Sequence, residues 1–221
     1  MPRFTDELRE LAAPIWEAQH QHPFVRGIVD GSVDREQFAY WMRQDYAYLI
    51  EYARLVAIAT SRAPDLETMT RFATLTQETL ATEMALHRAY AARLGISEAA
   101  LEAEVKSPTT QAYTDFLLRT ATLGDFGELV AALLPCMWGF HEIGVRLKQN
   151  GAPLDPVCAE WIEMYSSPEF GELAQWCRET LDGIADGLPQ RNLRRLRDAF
   201  LTSSRYELRF WEMAVTQEQW A

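Results

Sequence analysis

The spacing of the apolar residues constrains this chain most, because they recur every three to four positions along almost its whole length. The 11 glycines and 10 prolines fall in clusters between these periodic stretches. No segment alternates apolar and polar residues with the period of two that is typical of a half-buried β-strand. We therefore predict an all-α fold in which long helices are separated by short turns.

Capping residues and helix breakers predict where these helices begin and end. Thr5 is the expected cap of a first helix that ends before Pro23, Asp34 caps a long helix, and Gly95 ends another. With boundaries uncertain by about 2 to 4 residues, the predicted helices span 6–21, 24–30, 34–62, 66–94, 107–123, 125–149, 155–165, 168–186 and 190–217. No repeat, low-complexity tract or long linker interrupts them, so we predict a single domain over residues 1–221.

The composition argues against nucleic acid or an anionic membrane as a partner. The chain has 21 Lys and Arg against 32 Asp and Glu, a net charge of −11, and would be repelled by polyanions. The longest apolar stretch, 129–140, is about half of the roughly 20 residues that cross a bilayer, so we expect a core helix and no membrane. The N-terminus resembles no leader peptide, and three widely spaced cysteines suggest reduced thiols, so we expect a cytoplasmic protein.

One helical stripe carries a carboxylate among aromatic residues. Asp45, Tyr48 and Tyr52 follow the i, i+3, i+7 spacing that places side chains on one face of a helix. A buried carboxylate costs several kcal/mol unless a partner compensates it. Asp45 therefore either pairs with a neighbouring helix or receives the hydrogen-bond donors of a ligand.

Two further segments bring a thiol and a second carboxylate to faces that we expect to be buried. Cys136 follows Pro135, and an interior proline kinks a helix and can open space beside it. Buried cysteine is often only a small apolar side chain, and His141 points about 140° away on the helical wheel, so any base must come from another helix. Glu207 lies one turn before Trp211. If the thiol and both carboxylates converge, they supply a nucleophile, an acid/base and an orienting group.

A metal site is the main alternative for a helical bundle. Di-iron bundles use paired Glu-x-x-His motifs with further glutamates, and this chain has one such motif, Glu17 with His20. Glu83 and His87 are four residues apart and could share a metal, but a structural hydrogen bond is the preferred interpretation. The chain also lacks a glycine-rich phosphate loop and a Gly-x-Ser-x-Gly motif. We predict no metal and no cofactor.

Several groups of residues, in order along nearly the whole chain, resemble the TenA family, thiaminase II. They are His22-Pro23-Phe24-Val25 with Asp30-Gly31-Ser32, Gln44-Asp45-Tyr46, Glu83-Met84-Ala85-Leu86-His87, Leu134-Pro135-Cys136-Met137-Trp138, and Ser203-Ser204 with Tyr206-Glu207 and Phe210-Trp211-Glu212-Met213-Ala214. Each group alone is a weak signal. Their common order makes the resemblance specific.

The resemblance implies an up-and-down helical bundle of the haem oxygenase type that assembles as a homotetramer without a cofactor. It also implies hydrolysis of aminopyrimidines: 4-amino-5-aminomethyl-2-methylpyrimidine would give the 5-hydroxymethyl pyrimidine and ammonia, and thiamin itself would be cleaved. The expected partner is therefore a small aminopyrimidine or thiamin, in the salvage of thiamin.

Carried over position by position, the resemblance implies a role for each candidate residue. Cys136 would add to the pyrimidine ring, and Glu207 would protonate the departing amine and later activate water. Asp45 would bind a ring nitrogen and the exocyclic amine. The residues expected to line the pocket are Tyr48, Tyr113, Phe140 and Tyr165.

Phe140 departs from the pattern, because many cysteine-type members carry tyrosine there. A hydrogen bond lost in a polar site costs about 1 to 3 kcal/mol, so the departure leaves the substrate preference open. It also motivates one alternative, a non-catalytic pyrimidine-binding or regulatory protein. The other alternative is a di-iron oxidase on the same bundle, with Glu17, His20, Glu83 and His87 as ligands.

Overall fold

The structure is a computed structural model that describes residues 3–151, 153 and 155–221, so the predicted domain of 1–221 includes four positions outside the described residues. The described residues form helices joined by short turns, and no β-strand occurs among them. The α-helices are α1 (Phe4–Leu11), α2 (Ala13–His20), α3 (Pro23–Asp30), α4 (Arg35–Arg62), α5 (Leu66–Glu78), α6 (Met84–Arg93), α7 (Glu98–Glu102), α8 (Pro108–Leu123), α9 (Phe126–Asn150), α10 (Pro156–Tyr165), α11 (Pro168–Ala185) and α12 (Gln190–Thr216). A π-helical segment, Thr79–Glu83, joins α5 to α6.

Most predicted helix ends are confirmed, because local capping determines them. The side chain of Asp34 accepts hydrogen bonds from the backbone N–H groups of Glu36 and Gln37, at 2.8 and 3.2 Å, and α4 begins there. Ser107 caps α8 in the same way through the N–H of Thr110. Gly95 follows α6 with φ of +83°, a conformation that glycine adopts without strain.

The prediction that Thr5 caps the first helix is wrong. Its backbone N–H and its hydroxyl both donate to the carboxylate of Asp182 on α11, at 2.8 and 3.0 Å, so the side chain serves a tertiary contact. The predicted first helix is also divided at Ala12, between α1 and α2. Pro14 lies in the first turn of α2, where its missing N–H costs nothing.

The described helices divide into two compact units, each built from two stretches of chain. The first unit comprises Met1–Val33 and Gly127–Glu212, and therefore α1 to α3, nearly all of α9, α10, α11 and most of α12. The second unit comprises Asp34–Phe126 and Met213–Ala221, and therefore α4 to α8 with the end of the chain. That the chain is a single domain stays a prediction.

An aromatic cluster centred on Trp16 forms the core of the first unit. Its ring stacks on Phe200 at a centroid distance of 5.9 Å and meets Trp138 edge-on at 5.1 Å. The indole N–H donates to the hydroxyl of Ser204 at 3.0 Å, which satisfies the one polar group of this buried side chain. These contacts tie α2 to α9 and α12.

In the second unit, α4 packs against α5, α6, α7 and α8, and a buried glutamine anchors it. The amide nitrogen of Gln44 donates to the Glu104 carboxylate and to the carbonyl of Val105, at 2.7 and 3.0 Å. Its amide oxygen accepts from the N–H of Ser107 and the hydroxyl of Thr110, at 2.8 and 2.7 Å. The full hydrogen-bonding capacity of the amide is used, which holds the α7–α8 connection against the residue next to Asp45.

Among the described helices, α9 is long and apolar enough to cross a membrane by length and composition alone. However, 67% of its most apolar window is buried within the structure, which is typical of a core helix. The helix is longer than the apolar stretch that the sequence analysis singled out, and that stretch lies at its buried centre. This burial supports the prediction of a core helix.

Candidate active site

The seven predicted site residues fall into two groups, one in each unit. Two aromatic residues, a thiol and a carboxylate belong to the first unit: Cys136, Phe140, Tyr165 and Glu207. A carboxylate and two tyrosines belong to the second unit: Asp45, Tyr48 and Tyr113.

Cys136 differs from the other two cysteines in its accessibility. It is partly exposed, on α9 directly after Pro135, whereas Cys158 and Cys177 are buried. Burial raises the pKa of Cys158 to about 11, with a smaller contribution from the charge of Asp155, and burial raises the pKa of Cys177 to about 12. Because the thiolate is the reactive form, the two buried thiols are poor nucleophiles at neutral pH. The structure therefore leaves Cys136 as the one cysteine that a reagent or substrate can reach without unfolding.

One turn after Cys136, Phe140 lies in a cluster of aromatic rings. Its ring centroid is 5.0 Å from that of Tyr165 and 5.4 Å from that of Trp211. Trp161 completes the cluster, with its centroid 4.6 Å from the Tyr165 ring and 6.0 Å from the Phe140 ring. Phe140 and Tyr165, predicted to line one pocket, are thus in contact. All four rings are almost fully buried, so they form a rigid wall.

Helices α9 and α12 run in the same direction past each other, since the Glu128 carboxylate pairs with Arg195 before Phe140 meets Trp211 further along both helices. Cys136 lies four residues before Phe140, and Glu207 lies four residues before Trp211. Four residues make slightly more than one turn of an α-helix and rise by about 6 Å along its axis. The partly exposed Cys136 and the buried Glu207 thus each lie about one turn before a residue of the Phe140–Trp211 contact, on their own helices.

In the second unit, Asp45 has the helix partner that the sequence analysis left open. Its Oδ2 lies 2.7 Å from Nε2 of His87 on α6, and both side chains are buried. The Nδ1–H of His87 donates to the backbone carbonyl of Glu83 at 2.9 Å. Burial alone would lower the pKa of the His87 imidazole, but the hydrogen bond and charge of Asp45, with a contribution from Glu83, hold that pKa above its ordinary value.

Aromatic rings flank Asp45 on its own helix. The Tyr48 ring stacks on Tyr113 of α8 with centroids 5.3 Å apart, and Tyr52 follows one turn later at 6.0 Å from Tyr48. The structure thus brings together two of the predicted lining residues, Tyr48 and Tyr113. Tyr48 lies one turn after Asp45 on α4, so the carboxylate and the stacked tyrosine pair are neighbours in the second unit.

His87 is the residue of this region whose role the sequence analysis missed. The sequence pairs it with Glu83, as a structural residue or a metal ligand, and does not predict its hydrogen bond to Asp45. The available signal was indirect: a buried Asp45 requires a partner, and the chain has only four histidines. Nothing in the spacing of the sequence identifies which of them it is.

Three of the four residues of the di-iron alternative have side chains engaged in other contacts. Glu17 accepts from Arg146 at 3.0 Å, and His20 is bonded to Glu142 at 2.9 Å. Both ring nitrogens of His87 are hydrogen-bonded as well. Within the part of the chain that the structure describes, no group of three or more His, Cys, Asp or Glu side chains is arranged to hold a metal ion.

A separate pocket of about 270 Å³ lies in the first unit between α2, α3 and the end of α9. Apolar residues such as Val25 and Ile143 and polar residues such as Arg26 and His20 line it. None of the seven predicted site residues belongs to this pocket. It therefore does not bear on the choice of catalytic residues.

Comparisons with known proteins cover almost the whole chain. The model of the TENA/THI-4/PQQC family matches residues 9–217. A relative from Halalkalibacterium halodurans named aminopyrimidine aminohydrolase is 50% identical, over 98% of this chain and 97% of its own length. The TenA homologue from Pyrococcus horikoshii, whose structure is solved, is 30% identical and superimposes with a TM-score of 0.88 over 96% of this chain and 98% of its own.

A more distant structure confirms the predicted fold class. A domain of unknown function with a haem oxygenase-like fold from Shewanella denitrificans superimposes with a TM-score of 0.76 at 16% identity, over 96% of this chain and 92% of its own. At that identity the likeness shows the fold alone. The family match and the 50% identical relative show more: the chain belongs to the TENA/THI-4/PQQC family.

Proposed function

We propose that this protein is an aminopyrimidine aminohydrolase of the thiaminase II type. The observation that carries the proposal is the 50% identity, over nearly the full length of both chains, to a relative with that name. The structure supports it with a partly exposed Cys136 beside a buried aromatic wall, and with a buried carboxylate, Asp45, beside stacked tyrosines. The substrate class is a small aminopyrimidine, including thiamin.

The proposed reaction uses Cys136 for covalent catalysis. Its thiolate adds to a ring carbon of 4-amino-5-aminomethyl-2-methylpyrimidine, which breaks the aromaticity of the ring and allows the amine on the 5-methylene to leave. Glu207 gives that amine its proton, and ammonia departs. Glu207 then takes a proton from water as the oxygen bonds to the methylene, and loss of the thiolate restores the aromatic ring. The sum is substrate plus water to the 5-hydroxymethyl pyrimidine plus ammonia.

Three residues are proposed to bind the pyrimidine itself. Asp45 is proposed to accept hydrogen bonds from the exocyclic amine and the protonated ring nitrogen, and Tyr48 and Tyr113 to offer aromatic faces. Phe140 and Tyr165, which contact each other, are proposed as further residues that line the substrate pocket. Each of these roles is carried over from the family by position.

The test compares Cys136→Ala with Cys158→Ala, which removes a buried thiol in the same unit. Ammonia release and formation of the hydroxymethyl product are measured with the aminomethyl pyrimidine, and pyrimidine release with thiamin. We expect Cys136→Ala to lose at least about a thousandfold in kcat, with thermal unfolding unchanged. We expect Cys158→Ala to stay within a few fold of the parent protein. Full activity of Cys136→Ala would refute the covalent mechanism.

We also propose that the protein folds as one domain and assembles in the cytoplasm as a homotetramer. Exposed apolar side chains on α5 and the π-helical segment, Leu66 and Leu80, are surface that an interface between copies would bury. Sedimentation equilibrium should give four times the mass of the chain. A mass equal to one chain at micromolar concentration would contradict the tetramer without touching the proposed reaction.

A further inference from the structure

His87 and Asp45 form an isolated buried pair. Their side chains are 1% and 6% exposed, and the 2.7 Å separation of Nε2 and Oδ2 is that of a charge-assisted hydrogen bond. His87 provides a hydrogen bond to one of the two carboxylate oxygens of Asp45, Oδ2. Because a carboxylate has about four acceptor positions on two oxygens, this bond uses only part of the capacity of Asp45.

The second nitrogen of His87 determines where the protons are. Nδ1 lies 2.9 Å from the carbonyl oxygen of Glu83, which can only accept, so Nδ1 carries a hydrogen. Nε2 faces a carboxylate, so the ring is either an imidazolium donating to Asp45 or a neutral ring accepting from a carboxylic acid. The hydrogen bond and the charge of Asp45 raise the pKa of the His87 imidazole, which shifts the balance toward the form that donates from Nε2. With Nε2 donating, Oδ2 of Asp45 is the acceptor of this bond.

The π-helical segment places His87 on the face that meets α4. Before the segment, the buried residues of α5 are Phe72 and Leu75, followed by Thr79, at the spacing of an α-helix. Continuing that spacing puts the next buried positions near 82–83 and 86, but the buried residues are Met84 and His87. The wider turn of the π-helix absorbs the extra residue, and α5, the segment and α6 all contact α4.

We propose that His87 is a positioning residue that orients the Asp45 carboxylate as a hydrogen-bond acceptor for an aminopyrimidine, a role that rests on the proposed function. The amino edge of a protonated 4-aminopyrimidine presents two adjacent N–H donors, which match an acceptor-only carboxylate. A 4-oxopyrimidine presents a carbonyl oxygen at the same edge and would be repelled. His87 therefore contributes to substrate selection without touching the substrate.

Two substitutions of His87 test its hydrogen bond to Asp45. Both remove the imidazole ring, but only one of them keeps a donor that can reach Asp45. In His87→Gln the amide nitrogen is as many bonds from Cβ as Nε2 and can still donate to Asp45. In His87→Asn the amide group takes the place of Nδ1 and cannot reach Asp45. A matched control is His20→Asn, which breaks a buried histidine–carboxylate pair of the first unit, with Glu142.

We expect His87→Asn to lower kcat/KM for the aminomethyl pyrimidine on the order of 10- to 100-fold, mainly through KM, because Asp45 binds the ring before and during the reaction. His87→Gln should stay within about fivefold of the parent protein, and His20→Asn likewise. In an Asp45→Asn background, adding His87→Asn should lower kcat/KM by less than about threefold. A residue that acts only through the Asp45 carboxylate has no effect once that carboxylate is gone. Equal loss in both His87 variants, or a full additional loss in the Asp45→Asn background, would overturn the proposal.

Nitrogen-15 NMR of the histidine rings tests the same pair without turnover. In the parent protein both nitrogens of His87 should be protonated at pH 7, and calorimetry should show that the aminomethyl pyrimidine binds more weakly to His87→Asn than to His87→Gln. A neutral His87 ring, or equal affinities for the two variants, would overturn the proposal even in an active enzyme. Absence of turnover in the parent protein, with the expected NMR and binding results, would instead refute the proposed function and leave the positioning role standing.

Discussion

Three basic side chains, from α1, α2 and α9, converge on the carboxylate of Glu142, so a substitution of this residue tests how the first unit is held together. Arg9 donates through Nη2 and Nε at 2.6 and 3.0 Å, His20 Nε2 lies at 2.9 Å, and Arg146 at 3.4 Å. Burial would raise the pKa of Glu142, but the hydrogen bonds from His20 and Arg9 and the charge of Arg9 lower it from 4.5 to about 2. The ionised form is thus strongly preferred in the folded protein.

The shift converts directly into a contribution to stability. One pKa unit corresponds to about 1.4 kcal/mol, so a folded-state pKa of about 2 against 4.5 in the unfolded chain is worth on the order of 3 kcal/mol at pH 7. Because the folded-state pKa is the lower one, this stability is fully present above pH 4.5. It is lost as the pH falls toward 2, and about 1 kcal/mol remains at pH 3.

We would replace Glu142 by glutamine and measure urea unfolding at pH 7 and pH 3, with circular dichroism as the signal. We expect the variant to unfold with about 3 kcal/mol less free energy at pH 7 and about 1 kcal/mol less at pH 3. Glu163→Gln is the control, because its ion pair with Lys148 is highly exposed and should contribute less than about 1 kcal/mol at either pH. A loss at pH 7 no larger than that of the control, or a loss independent of pH, would contradict a stabilising role of the Glu142 charge.

Three further predictions concern the cores and the aromatic wall. A Cβ at Gly144 would lie 2.8 Å from the backbone at Tyr165, so Gly144→Ala should cost about 1 to 3 kcal/mol in urea unfolding, whereas Gly139→Ala meets nothing closer than 4.0 Å and should be neutral or stabilising. Gln44→Leu leaves the partners of four hydrogen bonds unsatisfied and should lower the free energy of unfolding by about 3 kcal/mol; an unchanged urea midpoint would contradict this. Phe140→Tyr should change the ratio of kcat/KM for thiamin and the aminomethyl pyrimidine by about tenfold, while an unchanged ratio would show that a hydroxyl there meets no substrate.

The sequence predicts helix ends well where capping is local. Asp34 and Ser107 are recognisable as caps because the groups that they bond lie two or three residues along the chain. Thr5 has the same chemistry, but its partner is Asp182, far away in sequence, and no local signal reveals that competition. The sequence does not predict the π-helical segment either. One extra residue hardly changes the 3.6-residue periodicity of the apolar positions when that periodicity is measured over a long stretch of chain.

For the candidate site, the sequence predicts kinds of residue better than their partners. The helical stripe of Asp45 and Tyr48 follows from spacing on one helix, and both are buried as expected. The contact between Tyr48 and Tyr113, and that between Phe140 and Tyr165, depend on how different helices pack, which spacing along one helix does not specify. The partner of Asp45 also depends on how different helices pack. A buried carboxylate needs a hydrogen-bond partner, but only the tertiary structure identifies that partner as His87.

The extra residue within Thr79–Glu83 also affects how chains of this kind are aligned. A chain one residue shorter there could close the turn as an ordinary α-helix, with both flanking helices keeping their contacts to α4. An alignment that forbids a gap inside a helix would then shift every position after the segment by one. It would pair the histidine of the shorter chain with Leu86 or Arg88 of this chain instead of His87. Structure-guided placement of that single gap is therefore needed before the residue facing Asp45 can be compared between homologues.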